Sequence, residues 1–222
     1  NELRGKVLGI IGLGSVGSLL AQTASVLGMK IIGYDPYISV DAAWMLPKEV
    51  EKAEELNYLL SNSDYISLHI PLTDKTKNFI SKKNLNAFKP GSKLINLSRG
   101  GIVNNEDILE ALQQRKVSNF VTDFPTKELI ERSVTKKDVI LLPHLGASTK
   151  EAEINCAVMA SEQVKKFLSD GVIINSINFP KVSLGRTTKY RMVIIHKDEP
   201  GVIGMLAGEV AAEGINIPHM IN

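Results

Sequence analysis

The sequence predicts an α/β protein: a parallel sheet covered by helices on both faces, then a long helix and a smaller α+β unit. Three observations carry this. Short continuous apolar runs alternate with helical stretches up to about residue 145, as in strands buried on both faces. A glycine-rich turn joins the first run to the first helical stretch. Beyond residue 149 the pattern changes, first to one long helix and then, from Lys189, to a strand–helix–strand succession.

Lys6–Ile11 reads as a buried strand and Val16–Leu27 as a helix, with Val16, Leu19, Leu20 and Thr23 at helical spacing. Lys30–Tyr34 is a second strand. Glu49–Leu60 is expected to be a helix or two short ones. Tyr65–Leu68 is strand-like and Pro71 closes that segment, since proline cannot continue a ladder. Lys93–Leu97 is another strand. Asn105–Gln114 is an amphipathic helix with Ile108, Leu109 and Leu112 on one side, and Asn119–Thr122 and Val139–Leu142 complete the sheet. Thr149–Leu168 reads as one helix, capped by Ser148 or Thr149, with Glu151 and Glu153 in its first turn and Gly171 as its stop. Residues 172–187 look like an extended linker. Tyr190–His196 is expected as a strand, Pro200–Glu213 as a helix and Ile215–Ile217 as the start of a strand. The expected division is a first domain over 1–148, a helix and linker over 149–180, and a partial third unit over 181–222.

Composition narrows the function classes. Of 222 residues, 44% are apolar and 23% charged, enough for a core and ordinary for a soluble chain. Lys and Arg number 26 against 24 Asp and Glu. With no basic excess, no nucleic-acid partner is expected. No run of about 18 apolar residues exists to span a membrane, and no segment reads as a signal peptide. The single cysteine, Cys156, excludes an internal disulfide and points to a reducing, cytoplasmic setting. It sits among apolar residues of the long helix and reads as core.

Gly12-Leu13-Gly14-Ser15-Val16-Gly17 is a G-x-G-x-x-G run between a strand and a helix, and Asp35 ends the next strand, 21 residues beyond Gly14. That is close to the ~20 expected of a Rossmann-type, doubly wound dinucleotide site. Gly12 permits the tight turn, Gly14 close approach of a pyrophosphate, and Gly17 packing of helix on strand. The first amides of the helix, at Ser15 and Val16, favour anionic phosphates. Asp35 can accept the adenine ribose hydroxyls and repels a 2′-phosphate, so NAD is expected over NADP.

Polar groups follow three strand ends: Arg99 in Asn96-Leu97-Ser98-Arg99-Gly100-Gly101, Asp123 and Glu128 after the strand at 119–122, and His144 after Pro143. In open α/β sheets ligands bind beyond the carboxyl ends of strands. An imidazole there can take a hydroxyl proton as a hydride leaves the same carbon. A carboxylate can hold the imidazolium, and a guanidinium can clamp a substrate carboxylate at two points.

The runs ELRGKVLGIIGLGSVG, GYDPY, SLHIPLT, INLSRGG, VTDFPTKE and PHLGASTKEAE make the chain resemble the D-isomer-specific 2-hydroxyacid dehydrogenases over nearly its whole length. The resemblance implies that Arg99 orients substrate, His144 is the acid/base and Glu128 is its partner. Glu128 falls 29 residues after Arg99 and five after Asp123, which lies near the nicotinamide. The chain departs from the family's usual Asp-Val-Phe-Glu-x-Glu-Pro at 123–129, which makes Glu131 the alternative, and carries Ser15 where many members have Arg. The resemblance also places cofactor contacts on Leu97, Ser98, Arg99, Asp123, His144, Gly146 and Ala147, and puts His69 near the cofactor.

His196–Gly204 followed by Gly214–Ile217 resembles part of an ACT module, which senses amino acids. This resemblance implies a serine site at His196, Asp198 and Asn216, and makes 3-phospho-D-glycerate the expected substrate. The reaction implied is its NAD-dependent oxidation to 3-phosphohydroxypyruvate, the first step of serine biosynthesis, in a homo-oligomer. The alternatives are a glyoxylate/hydroxypyruvate or D-lactate type enzyme, and a non-catalytic NAD-sensing binding protein. Family members carry roughly a hundred residues before the glycine-rich strand. The chain is therefore expected to be an inactive piece of a longer protein, without most of the substrate domain and without the end of the ACT module. No metal is expected.

Overall fold

The computed structural model describes residues 2–176 and 178–222. They fall into two units, one running to His144 and the other from Leu145. In the first, β1 (Val7–Ile11), α1 (Ser15–Val26), β2 (Lys30–Tyr34), α2 (Val40–Trp44), β3 (Glu51–Lys52), α3 (Leu56–Asn62) and β4 (Tyr65–Leu68) form one half. The other half is α4 (Lys82–Leu85), β5 (Ser92–Asn96), α5 (Asn105–Gln113), β6 (Val117–Thr122), α6 (Lys127–Thr135) and β7 (Val139–Leu141). The seven strands form one sheet in the order β3-β2-β1-β4-β5-β6-β7, and every pairing is parallel. This is the doubly wound, Rossmann-like sheet that the sequence predicts. The order reverses between β1 and β4, which opens a crevice beyond their carboxyl ends.

Alternation along β1 builds a core on each face. Leu8 and Ile10 pack with Leu13, Ala21, Ala24 and Ile31 beneath α1. Ile11 joins the larger cluster on the other face, with Leu59, Leu60, Leu94, Ile108 and Phe120. Gly9 faces α3 at close range: a Cβ there would lie 2.4 Å from Ser63 Oγ and 2.5 Å from Leu59 Cδ2. The amino ends of the strands are held by Asp64, which accepts from Val7 N at 2.9 Å and from Lys89 Nζ at 2.7 Å.

Several expectations are corrected. Of residues 49–60 only the last five are helical, in α3. Glu51 and Lys52 pair with β2, and Ala53 N donates to Gly33 O, so the chain is strand there and bends before α3 begins. The helices α2, α4 and α6 were not expected. Glu128 therefore lies in the first turn of α6, which Thr126 caps by accepting from Leu129 N.

In the second unit, α7 (Lys150–Asp170) is capped by Thr149, which accepts from Ala152 N at 3.2 Å, and ends at Gly171 with φ +61°. Cys156 is exposed on it, not core, because no residue of α7 is buried. The stretch at 172–187 is not wholly extended linker: Ile173 and Val182 form an antiparallel bridge. The side chain of Arg191 donates to Asp170 O and Leu184 O and ties that bridge to the end of α7. Within 200–213, α8 (Val202–Ala212) forms as expected. Among the described residues, 190–196 and 215–217 are not strands: strands exist by pairing, and neither segment has a ladder partner. No helix among the described residues is long and apolar enough to cross a membrane.

Candidate functional site

The glycine-rich loop closes over the end of β1. Gly12 has φ +92°, and a Cβ on it would lie 2.6 Å from His69 O. A Cβ on Gly17 would lie 2.0 Å from Gly12 O, so α1 sits against the loop as the motif requires. Around Gly14 there is open space instead, with nothing within 4 Å. Among the described residues the amides of Gly14, Ser15 and Val16 have no hydrogen-bond acceptor, and all three residues are exposed. Free amides at the amino end of a twelve-residue helix, facing open space, fit a dinucleotide's pyrophosphate.

Asp35 does more here than the sequence suggested. Its Oδ2 accepts from Leu13 N at 2.8 Å and its Oδ1 from Tyr37 N at 2.9 Å. The carboxylate expected to meet the ribose therefore also braces the loop. Register makes this possible: Ile11 pairs with Tyr34, so Leu13 and Asp35 leave the sheet side by side. His69, at the end of β4, bonds Ser67 Oγ through Nε2 at 2.9 Å, and burial pushes its pKa down.

On the other half of the rim, His144 Nδ1 lies 2.7 Å from Asp123 Oδ2. The Asp123 side chain is only 8% exposed, whereas that of His144 is 56% exposed. The His144 ring also meets Phe124, with centroids 5.0 Å apart. Asp123 and His144 line a cleft of about 380 Å³ with Asn96, Gly100, Thr122 and Phe124. Asp123 Oδ1 faces no partner among the described residues.

Glu128 is not bonded to His144. It is exposed on α6, and hydrogen bonds from its own backbone amide and from Thr126 hold its carboxyl below the usual range. Glu131 is also exposed on α6, with Thr135 Oγ1 donating to its carbonyl. The carboxylate hydrogen-bonded to the imidazole is that of Asp123, which the sequence reading places near the nicotinamide.

Arg99 is exposed on the turn after β5, where its Nη1 donates to Ser98 O at 2.7 Å. Leu97 is exposed and Ser98 half-buried beside it. The turn is anchored by Asn96, which is 2% exposed. Gly146 and Ala147, expected to touch cofactor, belong to the second unit and are exposed, Ala147 with φ +59°.

The tail residues are brought together in part: the charge of Asp198 acts on His196, while Asn216 is hydrogen-bonded to neither. His196 Nδ1 lies 2.8 Å from Lys197 O and its Nε2 3.0 Å from Asn222 Oδ1, and these contacts raise its pKa, the Lys197 carbonyl most. Asp198 and Asn216 are exposed, and neither is hydrogen-bonded to His196. Among the described residues no group of acidic, cysteine or histidine side chains could hold a metal.

Comparison with known proteins gives this geometry a context. The family described as "D-isomer specific 2-hydroxyacid dehydrogenase, NAD binding domain" matches residues 1–146. The D-3-phosphoglycerate dehydrogenase of Escherichia coli is 34% identical over 223 residues, covering 97% of this chain and 53% of that protein. The D-3-phosphoglycerate dehydrogenase of Synechocystis sp. is 36% identical over 210 residues, covering 93% of this chain and 37% of that protein. Among solved structures, the NAD⁺-bound 3-phosphoglycerate dehydrogenase of Entamoeba histolytica aligns with TM-score 0.68 and 28% identity, over 81% of this chain and 57% of that one. The chain spans about half, or less, of the length of the curated relatives it matches.

Proposed function

Because the chain belongs to the D-isomer-specific 2-hydroxyacid dehydrogenase family through its NAD-binding domain, we propose that it serves the NAD-dependent oxidation of a D-2-hydroxy acid, with 3-phospho-D-glycerate as the substrate. The observation that carries the reading is the pairing of His144 with buried Asp123 at the strand-end rim. With Nδ1 occupied by Asp123, Nε2 is left to receive a proton. His144 then takes the proton of the substrate hydroxyl as general base, and Asp123 holds the resulting imidazolium in place. The guanidinium of Arg99 takes the substrate carboxylate and orients the reacting carbon. The amides of Ser15 and Val16 hold the pyrophosphate, and Asp35 receives the ribose. When bound, NAD supplies the hydride acceptor.

The choice of 3-phospho-D-glycerate is supported by the names of the curated relatives described above. An amino-acid effector is not part of the proposal, since His196 spends both ring nitrogens on Lys197 and Asn222. The test is NADH formation by the full reading frame that contains the chain, supplied in turn with 3-phospho-D-glycerate, D-glycerate and D-lactate. The phosphorylated acid should show the highest kcat/KM. A preference for D-lactate overturns the substrate, and turnover of none of them overturns the activity.

A further inference from the structure

The turn that carries Arg99 is fastened to the core by one side chain. Asn96 is the last residue of β5, in register with Leu68 on one side and Thr122 on the other, in the interior of the sheet. Its Oδ1 accepts from Ser98 Oγ at 2.9 Å and from Ser98 N at 3.3 Å. Its Nδ2 donates to Arg99 O at 3.0 Å. Every hydrogen bond the side chain makes thus goes to the two residues that lead to the guanidinium. The loop closes on itself, because Arg99 Nη1 donates to the carbonyl of Ser98, whose amide and hydroxyl are on Asn96.

A buried amide is costly unless its bonds are made. An apolar residue would serve the core at this position as Leu94 does on the same strand. What the amide adds is a rigid link from the sheet to an otherwise exposed arginine. We propose that Asn96 is a positioning residue that acts through Arg99, fixing the guanidinium where it meets the substrate carboxylate. This rests on the reading of Arg99 as the carboxylate clamp. A group that orients substrate loses its effect with displacements of about 1 Å, so the anchor matters although it touches no substrate.

The experiment is a double-mutant cycle in the full reading frame, assayed with 3-phospho-D-glycerate. Asn96→Ser deletes all three bonds. The isosteric Asn96→Asp keeps both acceptor bonds from Ser98 but turns the donor to Arg99 O into a carboxylate oxygen that repels that carbonyl, and it decides the matter if Asn96→Ser fails to fold. Each single change should lower kcat/KM by about tenfold or more, chiefly through KM, as expected when a charge-assisted contact is displaced. Combined with Arg99→Ala, neither should add a further loss, because residues acting through one contact are not additive. Losses that multiply, or an Asn96→Asp enzyme within about twofold of the parent, overturn the role of Asn96 and leave the clamp standing. Near-parental kinetics for Arg99→Ala alone overturn the clamp itself, and the Asn96 proposal falls with it.

Discussion

His144 and Asp123 meet because of strand register. Thr122 pairs with Leu141, so Asp123 leaves β6 just where the chain beyond β7 reaches His144, and Nδ1 comes to 2.7 Å from Oδ2. The two residues are 21 positions apart in sequence, and the sheet removes that separation. Three changes follow. In the full reading frame, His144→Ala should lower kcat by about 10²–10⁴, the range for a lost general base. Asp123→Asn should lower kcat by about tenfold or more, and Glu128→Gln by less than about twofold, since only Asp123 is bonded to the ring. Steady-state kinetics read all three. A Glu128→Gln loss as large as that of Asp123→Asn returns the partner role to Glu128.

Cofactor preference should follow Asp35. Calorimetric titration of the chain is expected to show NADH bound more tightly than NADPH, because the carboxylate faces the 2′-position of the adenine ribose. Asp35→Ala should narrow that gap. It should also weaken NADH itself, since the brace on Leu13 N goes with the carboxylate. Equal binding of both cofactors by the parent chain sinks the role given to Asp35.

The 222-residue chain alone should bind NADH and turn over 3-phospho-D-glycerate poorly. The phosphate-loop features lie within it, and the cleft beside His144 has no lysine or arginine in its lining to meet a substrate phosphate. Binding energy from such remote groups positions the reacting carbon, so its loss lowers turnover as well as affinity. Robust NADH production by the isolated chain contradicts this.

Acid should destabilise the first unit through His69. Burial lowers its folded pKa below the ordinary value near 6.5. The unfolded chain therefore takes up the proton first, and stability is full above that ordinary value. It is lost as pH falls below it, down to the lowered folded pKa. Urea midpoints measured between pH 7.5 and 5.5 should fall less for His69→Gln than for the parent. An identical fall in both proteins removes His69 as a cause.

Gly9→Ala tests the packing of α3 on β1. The added methyl would lie 2.4 Å from Ser63 Oγ and 2.5 Å from Leu59 Cδ2, and both residues are fully buried. Overpacking of this kind costs about 1–3 kcal/mol. Chemical denaturation is the measurement, and an unchanged midpoint means that α3 shifts freely.

The sequence made most of this sheet legible, because strands buried on both faces are written as apolar runs. The strand β3 escaped for the opposite reason: Glu51 and Lys52 are exposed and pair through backbone alone, so no side-chain pattern marks them. The helix α6 is polar and short, and its signal is the cap at Thr126 with Glu128 just behind it. The glycine loop, Arg99 and His144 stood out by motif. The roles of Asp123 and Asn96 did not, because each depends on what the sheet brings alongside. Counting register from paired strand ends would have found the His144–Asp123 contact and the brace of Asp35 on Leu13. The tail strands failed because a strand pattern names a residue's face and not its partner.

Since all seven strands run the same way, the molecule has two ends with different tolerances. One end carries the phosphate loop, Asp35, Asn96, Asp123 and His144. The other carries the clasp of Asp64 with Val7 and Lys89, which no ligand contact requires. A saturation library scored separately for abundance and for cofactor binding should therefore divide by position along the strands. Changes at the exposed phosphate loop and at Asp35 should spare the amount of protein and weaken cofactor binding. Changes at the clasp should reduce both in proportion. New specificities can arise at the first end without renegotiating the architecture at the second, which makes the direction of the strands a condition of evolvability.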